Sequence, residues 1–220
     1  MRIITTCFSA ALLLAANAVH AQTRTRTIEY GGGMDLITSA INPIAADSAG
    51  VGHRAFGLQI SGSIIAYRML SLSAEGGIVG MSDEAAFTQE TNQGEKTSGV
   101  AGGIGTLSAG VRTPPLSMGG AKPVVLTAGV NAGHSFLHVT RTITNCADCH
   151  GEDVSLRAGS FWEPVVTLGL GSGAGAVSAR YRTYLGGSDF DDALMVGVSV
   201  VPSRRKPAAS PPSAESPPAR

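Results

Sequence analysis

The residues best able to do chemistry in this chain are Cys146, Cys149 and His150, which lie within one five-residue segment. Two cysteines separated by two residues and followed by a histidine form the attachment signature of c-type haem, in which both thiols bond the porphyrin and the histidine ligates iron. This segment is polar, and no apolar stretch beside it could cover a macrocycle. We therefore expect a disulfide between Cys146 and Cys149 in an oxidising compartment, and no cofactor or metal. Haem attachment and half of a zinc site are the alternatives.

A histidine with a serine could support ester hydrolysis, and the segment that begins at His134 offers both residue types. His134, Phe136 and His138 share one parity, so in a strand they face the same side. A catalytic pair needs both groups on one face within hydrogen-bond reach. Ser135 points to the opposite face from His134, so the sequence predicts no such pair and no catalysis.

A third group of reactive side chains consists of charges that recur on one parity of otherwise uncharged segments. We expect them to face the interior of the fold and to pair there, because an enclosed charge without a partner is costly. The functional alternative is a narrow water or ion path. The predicted network comprises Glu29, Asp35, Glu75, Glu163, Arg157, Arg180 and Arg182.

The elements that position these residues are predicted to be β-strands. From Phe56 to Ala66, apolar side chains occupy every second position and alternate with mostly small or polar ones. Similar runs recur along the chain and give eight strands. Gly99 to Arg112 is the weak one, since its apolar parity switches midway and predicts a bulge or a misplaced boundary. We expect almost no helix.

Long and short connections alternate between these strands. Ile37 to His53, Ser82 to Ser98, Thr140 to Asp153 and Gly186 to Asp192 are the longer ones. The segments between the other strands are Tyr67 to Met69, Thr113 to Pro123 and Gly171 to Gly173. This alternation is typical of outer-membrane barrels, which have long loops outside and short turns in the periplasm.

Composition supports a membrane barrel over a soluble one. Charged residues make up 15% of the chain, hydrophobic residues 43%, and the formal net charge is zero. A nucleic-acid partner therefore lacks its usual electrostatic basis. The polar faces of the predicted strands carry mainly Ser, Gly, Thr and Ala with isolated charges, whereas a soluble barrel places many charges on its water-facing side.

The two ends of the chain differ from the strand region. Residues 1–21 have a positive start at Arg2, an apolar run from Cys7 to Ala16 and a small residue at Ala21, which predicts a signal peptide. Residues 22–201 form the predicted barrel. Residues 202–220 are rich in Pro, Ala and Ser and predict a disordered periplasmic tail.

In its strand pattern from Thr25 to Val201, the chain resembles small eight-stranded outer-membrane proteins, namely the OmpA-like transmembrane barrel and the outer-membrane β-barrel domain family. The resemblance implies an all-β, antiparallel up-and-down transmembrane barrel in the outer membrane of a Gram-negative envelope, with both termini periplasmic. It implies contact with outer-membrane lipid and lipopolysaccharide.

Our functional expectation is a structural or surface-interaction role. The exposed loops would meet an extracellular ligand, the tail would meet the cell wall, and there would be no nucleic-acid partner. A narrow porin-like channel, a lipid-modifying envelope enzyme and a c-type haem carrier are the alternatives.

Overall fold

A computed structural model describes residues 28–84, 97–119, 124–144, 152–170 and 175–200, and its elements are almost all strands. The predicted signal peptide and C-terminal tail lie outside these residues. No helix in the described part of the chain is long and apolar enough to cross a membrane. The elements are β1 (Ile28–Ile41), α1 (Pro43–Ala49), β2 (Val51–Ala66), β3 (Leu70–Asp83), β4 (Thr97–Arg112), β5 (Leu116–Met118), β6 (Val124–Thr144), β7 (Glu152–Val154), β8 (Ser160–Leu170), β9 (Gly175–Tyr184) and β10 (Phe190–Val200).

Eight of the strands form a closed antiparallel ring. Their order around the ring follows the chain, namely β1, β2, β3, β4, β6, β8, β9 and β10, and β10 pairs with β1 to complete it. The short strands β5 and β7 both pair with β6. The expectation of an all-β fold with eight antiparallel strands is confirmed.

The ring closes with a stagger. Stepping from Ala128 on β6 to the paired residue on each successive strand leads through β8, β9, β10, β1, β2, β3 and β4 and returns to β6 at His138, ten residues beyond the start. A stagger of this kind means that the strands run obliquely to the axis of the ring. It also brings residues that are distant in sequence to the same interior level.

The two faces of the ring follow the alternation in the sequence. On β2, Phe56, Leu58 and Ile60 are exposed on the outside, whereas Ala55 and Gln59 are buried inside. On β4, the predicted bulge is absent, because its pairing with β3 and β6 runs without a register shift. The apolar parity switches there because the interior itself becomes apolar toward one end of the strand.

The ring has a turn end and a loop end. The turn end holds the Tyr67–Met69 connection, where Tyr67 and Arg68 have φ of 53° and 60° and the Met69 amide donates to the Ala66 carbonyl at 3.1 Å. Two consecutive left-handed residues give the hairpin turn whose twist suits antiparallel strands, so this short connection is confirmed. At the opposite, loop end, β1 stops at Ile41 and β2 starts at Val51.

The loop-end connections are shorter than expected because the strands run farther. The predicted loop Ile37 to His53 is instead strand up to Ile41, then α1, then strand from Val51. The outside-apolar pattern fades in this stretch because Ile37, Ile41 and Val51 are all buried in the interior, 4% exposed or less. β6 likewise continues to Thr144, whereas the sequence predicts a loop from Thr140.

The helix α1 packs on the loop end of the ring. The Asn42 side chain accepts a hydrogen bond from the Ile44 amide at 3.1 Å, and Gly50 ends the helix in a left-handed conformation with φ of 63°. These are favourable start and stop signals. Ala46 is completely buried in the same apolar core as Ile41, so the helix extends the interior core of the ring.

Candidate functional site

Five of the seven charged residues predicted to face the interior meet in one cluster at the middle of the ring. We name it the central cluster, and all its members are at most 8% exposed. Inward-pointing positions of four strands supply its side chains, which is why their sequence separation exceeds a hundred residues in some contacts. The members of the central cluster are Asp35 on β1, Glu75 on β3, Glu163 on β8, and Arg180 and Arg182 on β9.

Arg182 is fully buried and uses all three of its guanidinium nitrogens. Nε donates to Glu163 at 2.9 Å and Nη2 to Glu75 at 2.9 Å. Nη1 donates to the hydroxyls of Thr106 and Ser135 at 3.3 and 3.2 Å. Because each nitrogen of the planar guanidinium group has a hydrogen-bond acceptor, Arg182 holds the carboxylates of Glu75 and Glu163 in a fixed geometry. This fixed geometry suits a structural plug better than a moving gate.

Arg180 joins the remaining carboxylate to this arrangement. Its Nη2 donates to Asp35 at 2.7 Å, and its Nη1 contacts Glu75 and, at 3.3 Å, Glu163. The Nε atom of Arg180 is buried without a partner among the described residues. The central cluster is therefore well connected on the Arg182 side and incompletely satisfied on the Asp35 side.

Two of the predicted interior charges lie elsewhere. Glu29 is at the turn end, where Arg112 approaches it at 3.2 Å and Arg68 at 3.9 Å. Arg157 does not contribute to the interior, which corrects the prediction: its side chain is 77% exposed and pairs with Asp189 at 3.9 Å. The segment around Arg157 is irregular and precedes β8, so the alternation that placed it inside does not apply there.

Sequence reasoning missed Arg141, which organises the loop end. Its Nε donates to both carboxylate oxygens of Asp83 at 3.1 Å, and its Nη2 donates to the carbonyls of Ala49 and Gly50 at 2.7 and 3.1 Å. A cation at the C-terminus of a helix satisfies free carbonyls and is electrostatically favourable. Arg141 was missed because it lies within the segment predicted to be a loop, whereas its inward parity on β6 would have indicated it.

The outer face of the ring brings together a histidine and a serine that the sequence kept apart. His134 and Ser160 are directly paired residues of β6 and β8, and His134 Nδ1 lies 3.1 Å from Ser160 Oγ. Phe136 stacks edge-on against His134, with ring centroids 4.8 Å apart. The prediction that no histidine–serine pair forms was wrong, because it considered Ser135 alone and the register between β6 and β8 cannot be read from either strand. Among the described residues, no carboxylate contacts His134.

The cysteine motif of Cys146, Cys149 and His150 lies outside the described residues. In the described part of the chain, no group of three His, Cys, Asp or Glu side chains could hold a metal ion. Neither a protein-family model nor a curated protein sequence matches this chain.

Proposed function

We propose that this protein is a transmembrane β-barrel of the outer-membrane type with a structural or surface-interaction role, in which the loop end is the contact surface. The proposal rests on one observation, the apolar character of the exterior of the ring. All eight ring strands expose large apolar side chains on the outside, each at least 37% exposed: Ile28, Tyr30, Met34, Leu36, Phe56, Leu58, Ile60, Ile64, Leu70, Leu72, Ile78, Leu107, Val111, Phe136, Trp162, Val166, Leu168, Val177, Tyr181, Leu194, Val196, Val198 and Val200.

This apolar exterior is continuous. From the level of Arg54 and Asp192 at the loop end down to the Tyr67–Met69 turn, the outward positions of the described ring strands include no Asp, Glu, Lys or Arg. A water-soluble protein rarely exposes more than a few hundred Å² of contiguous apolar surface. A closed ring with charges inside and apolar side chains outside has the arrangement that lipid requires.

The dimensions of the ring support the same proposal. For eight strands staggered by ten residues, with about 3.3 Å per residue and about 4.8 Å between strands, the strand tilt is about 41° and the backbone radius about 8 Å. From Phe56 to Ala66 there are ten steps of β2, which at this tilt reach about 25 Å along the axis. This equals the height of the apolar band of outer-membrane barrels, about 25 Å.

The filled interior favours a structural role over a channel. A radius of about 8 Å leaves room for side chains only. The central cluster occupies the middle of this space, and Arg182 and Glu163 within it are completely buried. We therefore place contact with partners at the loop end, where α1 and the longer connections lie, and interpret the barrel as a sealed scaffold that contacts outer-membrane lipid and lipopolysaccharide.

The test is whether the folded protein needs a membrane and whether its exterior faces lipid. The full chain should remain with the membrane fraction after an alkaline wash and should show no conductance in a planar bilayer. Ile60→Arg should cost about 2–4 kcal/mol of folding free energy in lipid vesicles, because it places a charge near the middle of the band that runs from Phe56 to Ala66. The control Ser48→Arg, on the exposed side of α1, should be tolerated. A protein that is soluble and folded without detergent would refute the proposal.

A second candidate function, hydrolysis of an envelope lipid ester, is favoured by the contact between His134 and Ser160. Both side chains are exposed on the outer face toward the loop end, where an ester of a membrane lipid could reach them. In this reaction Ser160 Oγ attacks the ester carbonyl carbon and His134 accepts the hydroxyl proton. The alcohol leaves with that proton, and water then releases the acid from the serine.

A serine-reactive fluorophosphonate decides between the two functions. Covalent labelling of Ser160 that disappears in Ser160→Ala and in His134→Ala, and persists in the exposed control Ser155→Ala, would establish the hydrolase. Absence of labelling in the folded wild-type protein would exclude it. Either result leaves the test of membrane insertion unaffected.

A further inference from the structure

The central cluster is unbalanced in charge. Three carboxylates, those of Asp35, Glu75 and Glu163, face the two guanidinium groups of Arg180 and Arg182, so the ionised cluster has one excess negative charge. The other ion pairs of the ring interior among the described residues lie at its two ends, where Glu29 faces Arg68 and Arg112 and where Asp83 faces Arg141. An uncompensated charge in a buried position is costly, so the imbalance requires a further positive charge.

The imbalance is concentrated at Asp35. Glu75 contacts both guanidinium groups, and so does Glu163. Asp35 contacts only that of Arg180, and its other partner is the hydroxyl of Ser178 at 3.4 Å. Asp35 is therefore the carboxylate whose charge is least compensated.

A second, independent observation points to the same place. Gln59 is completely buried, and neither its Oε1 nor its Nε2 has a hydrogen-bond partner among the described residues. Gln59 and Asp35 are directly paired across β1 and β2, and both face the interior. Paired residues on one face of a sheet have Cβ atoms about 4.5–5.5 Å apart, so the unsatisfied amide lies beside the least compensated carboxylate.

We propose that the folded ring binds one unit of positive charge, a proton or an alkali cation, between the Asp35 carboxylate and the Gln59 amide. A proton would make the Asp35 carboxyl a donor to Gln59 Oε1, whereas Na⁺ or K⁺ would be ligated by oxygens of both side chains. On the opposite side, Oδ1 of Asp35 packs directly against Gly197 and occupies the space that a Cβ at position 197 would need. The charged groups that face Asp35 from the surrounding strands are Arg180, Glu75, Glu163 and Arg182.

The experiment measures reversible urea unfolding of the full chain in lipid or detergent between pH 5 and 9. Sodium chloride, potassium chloride and N-methylglucamine chloride are compared at equal ionic strength. If the charge is a proton, the folded state binds more protons than the unfolded state above the ordinary Asp value of about 4. The unfolding constant then rises up to about tenfold for each unit of pH, until the folded carboxyl loses its proton. If the charge is an alkali cation, replacing Na⁺ or K⁺ with N-methylglucamine at pH 8 raises the unfolding constant, and the effect saturates with cation concentration.

Two variants test whether the dependence of unfolding on pH or on the cation arises at Asp35 and Gln59. Asp35→Asn removes the excess charge and should abolish whichever dependence the wild type shows, while Asp191→Asn, an exposed control on β10, should retain it. If Asp35→Asn does not fold, Gln59→Met decides, because loss of the amide should weaken the same dependence. The proposal is overturned if the wild type responds to neither pH nor cation, or if Asp35→Asn or Gln59→Met leaves the response unchanged.

Discussion

The interior of the ring contains two regions that the same strands build by different means. On β1, inward-facing Asp35 belongs to the central cluster, whereas Ile37 and Ile41, farther along the same face, belong to an apolar core at the loop end. On β9, Arg182 is followed two residues later by Tyr184 of that core. The outside of both strands carries no charged side chain and includes Thr38 and Thr183 toward the loop end. The interior thus changes from charged to apolar along the axis, whereas the exterior of these strands remains uncharged.

The two regions differ in the substitutions that they tolerate. An apolar core tolerates changes that conserve volume, because its contacts are non-directional. The central cluster requires each donor to meet a particular acceptor, and removal of one partner leaves a buried charge unpaired. We therefore expect the central cluster to be the more sensitive region.

The largest effect should follow from Arg182→Met, which breaks the central cluster. Glu75 and Glu163 each lose one of their two guanidinium partners and keep only Arg180, and a cation 3.9 Å above the ring of Phe161 is also removed. We expect unfolding in urea to show a loss of about 3–5 kcal/mol. The exposed control Arg157→Met should change stability by less than about 0.5 kcal/mol. A loss below about 1 kcal/mol for Arg182→Met would contradict the importance that we assign to the cluster.

A smaller loss is expected from Met195→Ala, which opens a cavity in the apolar core. Met195 is completely buried there. We expect a cost toward the lower end of the roughly 2–5 kcal/mol for such truncations, because flexible apolar neighbours can close part of the space. Met34→Ala removes the same side chain from the outer face, where it is 46% exposed, and should cost less than Met195→Ala in the same unfolding assay. Equal losses of unfolding free energy in the two variants would show that a methionine in the apolar core contributes no more to stability than one on the outer face.

The start of α1, the helix that covers the apolar core, should contribute less to the free energy of unfolding than the Met195 side chain does. Asn42→Ala removes the side-chain acceptor for the Ile44 amide and should cost about 1 kcal/mol. Hydrogen exchange should report faster opening of α1 with little change in the ring strands. Ser48→Ala, an exposed position on the same helix, provides the control. Uniformly faster exchange throughout the ring would mean that the helix is an integral part of the core.

The contrast between the two regions also explains which strands and contacts can be predicted from the sequence. Where the interior is polar, as from Phe56 to Ala66, the two faces differ in composition and the strand is evident. Where the inward positions become apolar and the outward ones small or polar, as at Ile37, Thr38 and Ile41, the alternation loses its phase, and the sequence predicts a loop in place of the strand. The five residues of the central cluster were predicted because charges on the inward parity are conspicuous. Contacts that depend on register between strands, such as His134 with Ser160, leave no pattern within either strand.

The smallest effect should come from Glu29→Gln, which disrupts an ion pair of the same chemistry as the central cluster at the turn end of the ring. The Glu29 and Arg112 side chains are 24% and 19% exposed, so water reaches both. We expect a loss below about 1 kcal/mol at low salt. The loss should shrink further at 1 M salt, where the screening length falls from about 10 Å to about 3 Å. In parallel, the loss in Glu75→Gln should hardly change with salt, since Glu75 is 7% exposed. If both variants respond equally to 1 M N-methylglucamine chloride, a salt whose cation the Asp35 site is not expected to bind, ions screen the middle of the ring, and the proposal of a sealed, non-conducting interior would have to be abandoned.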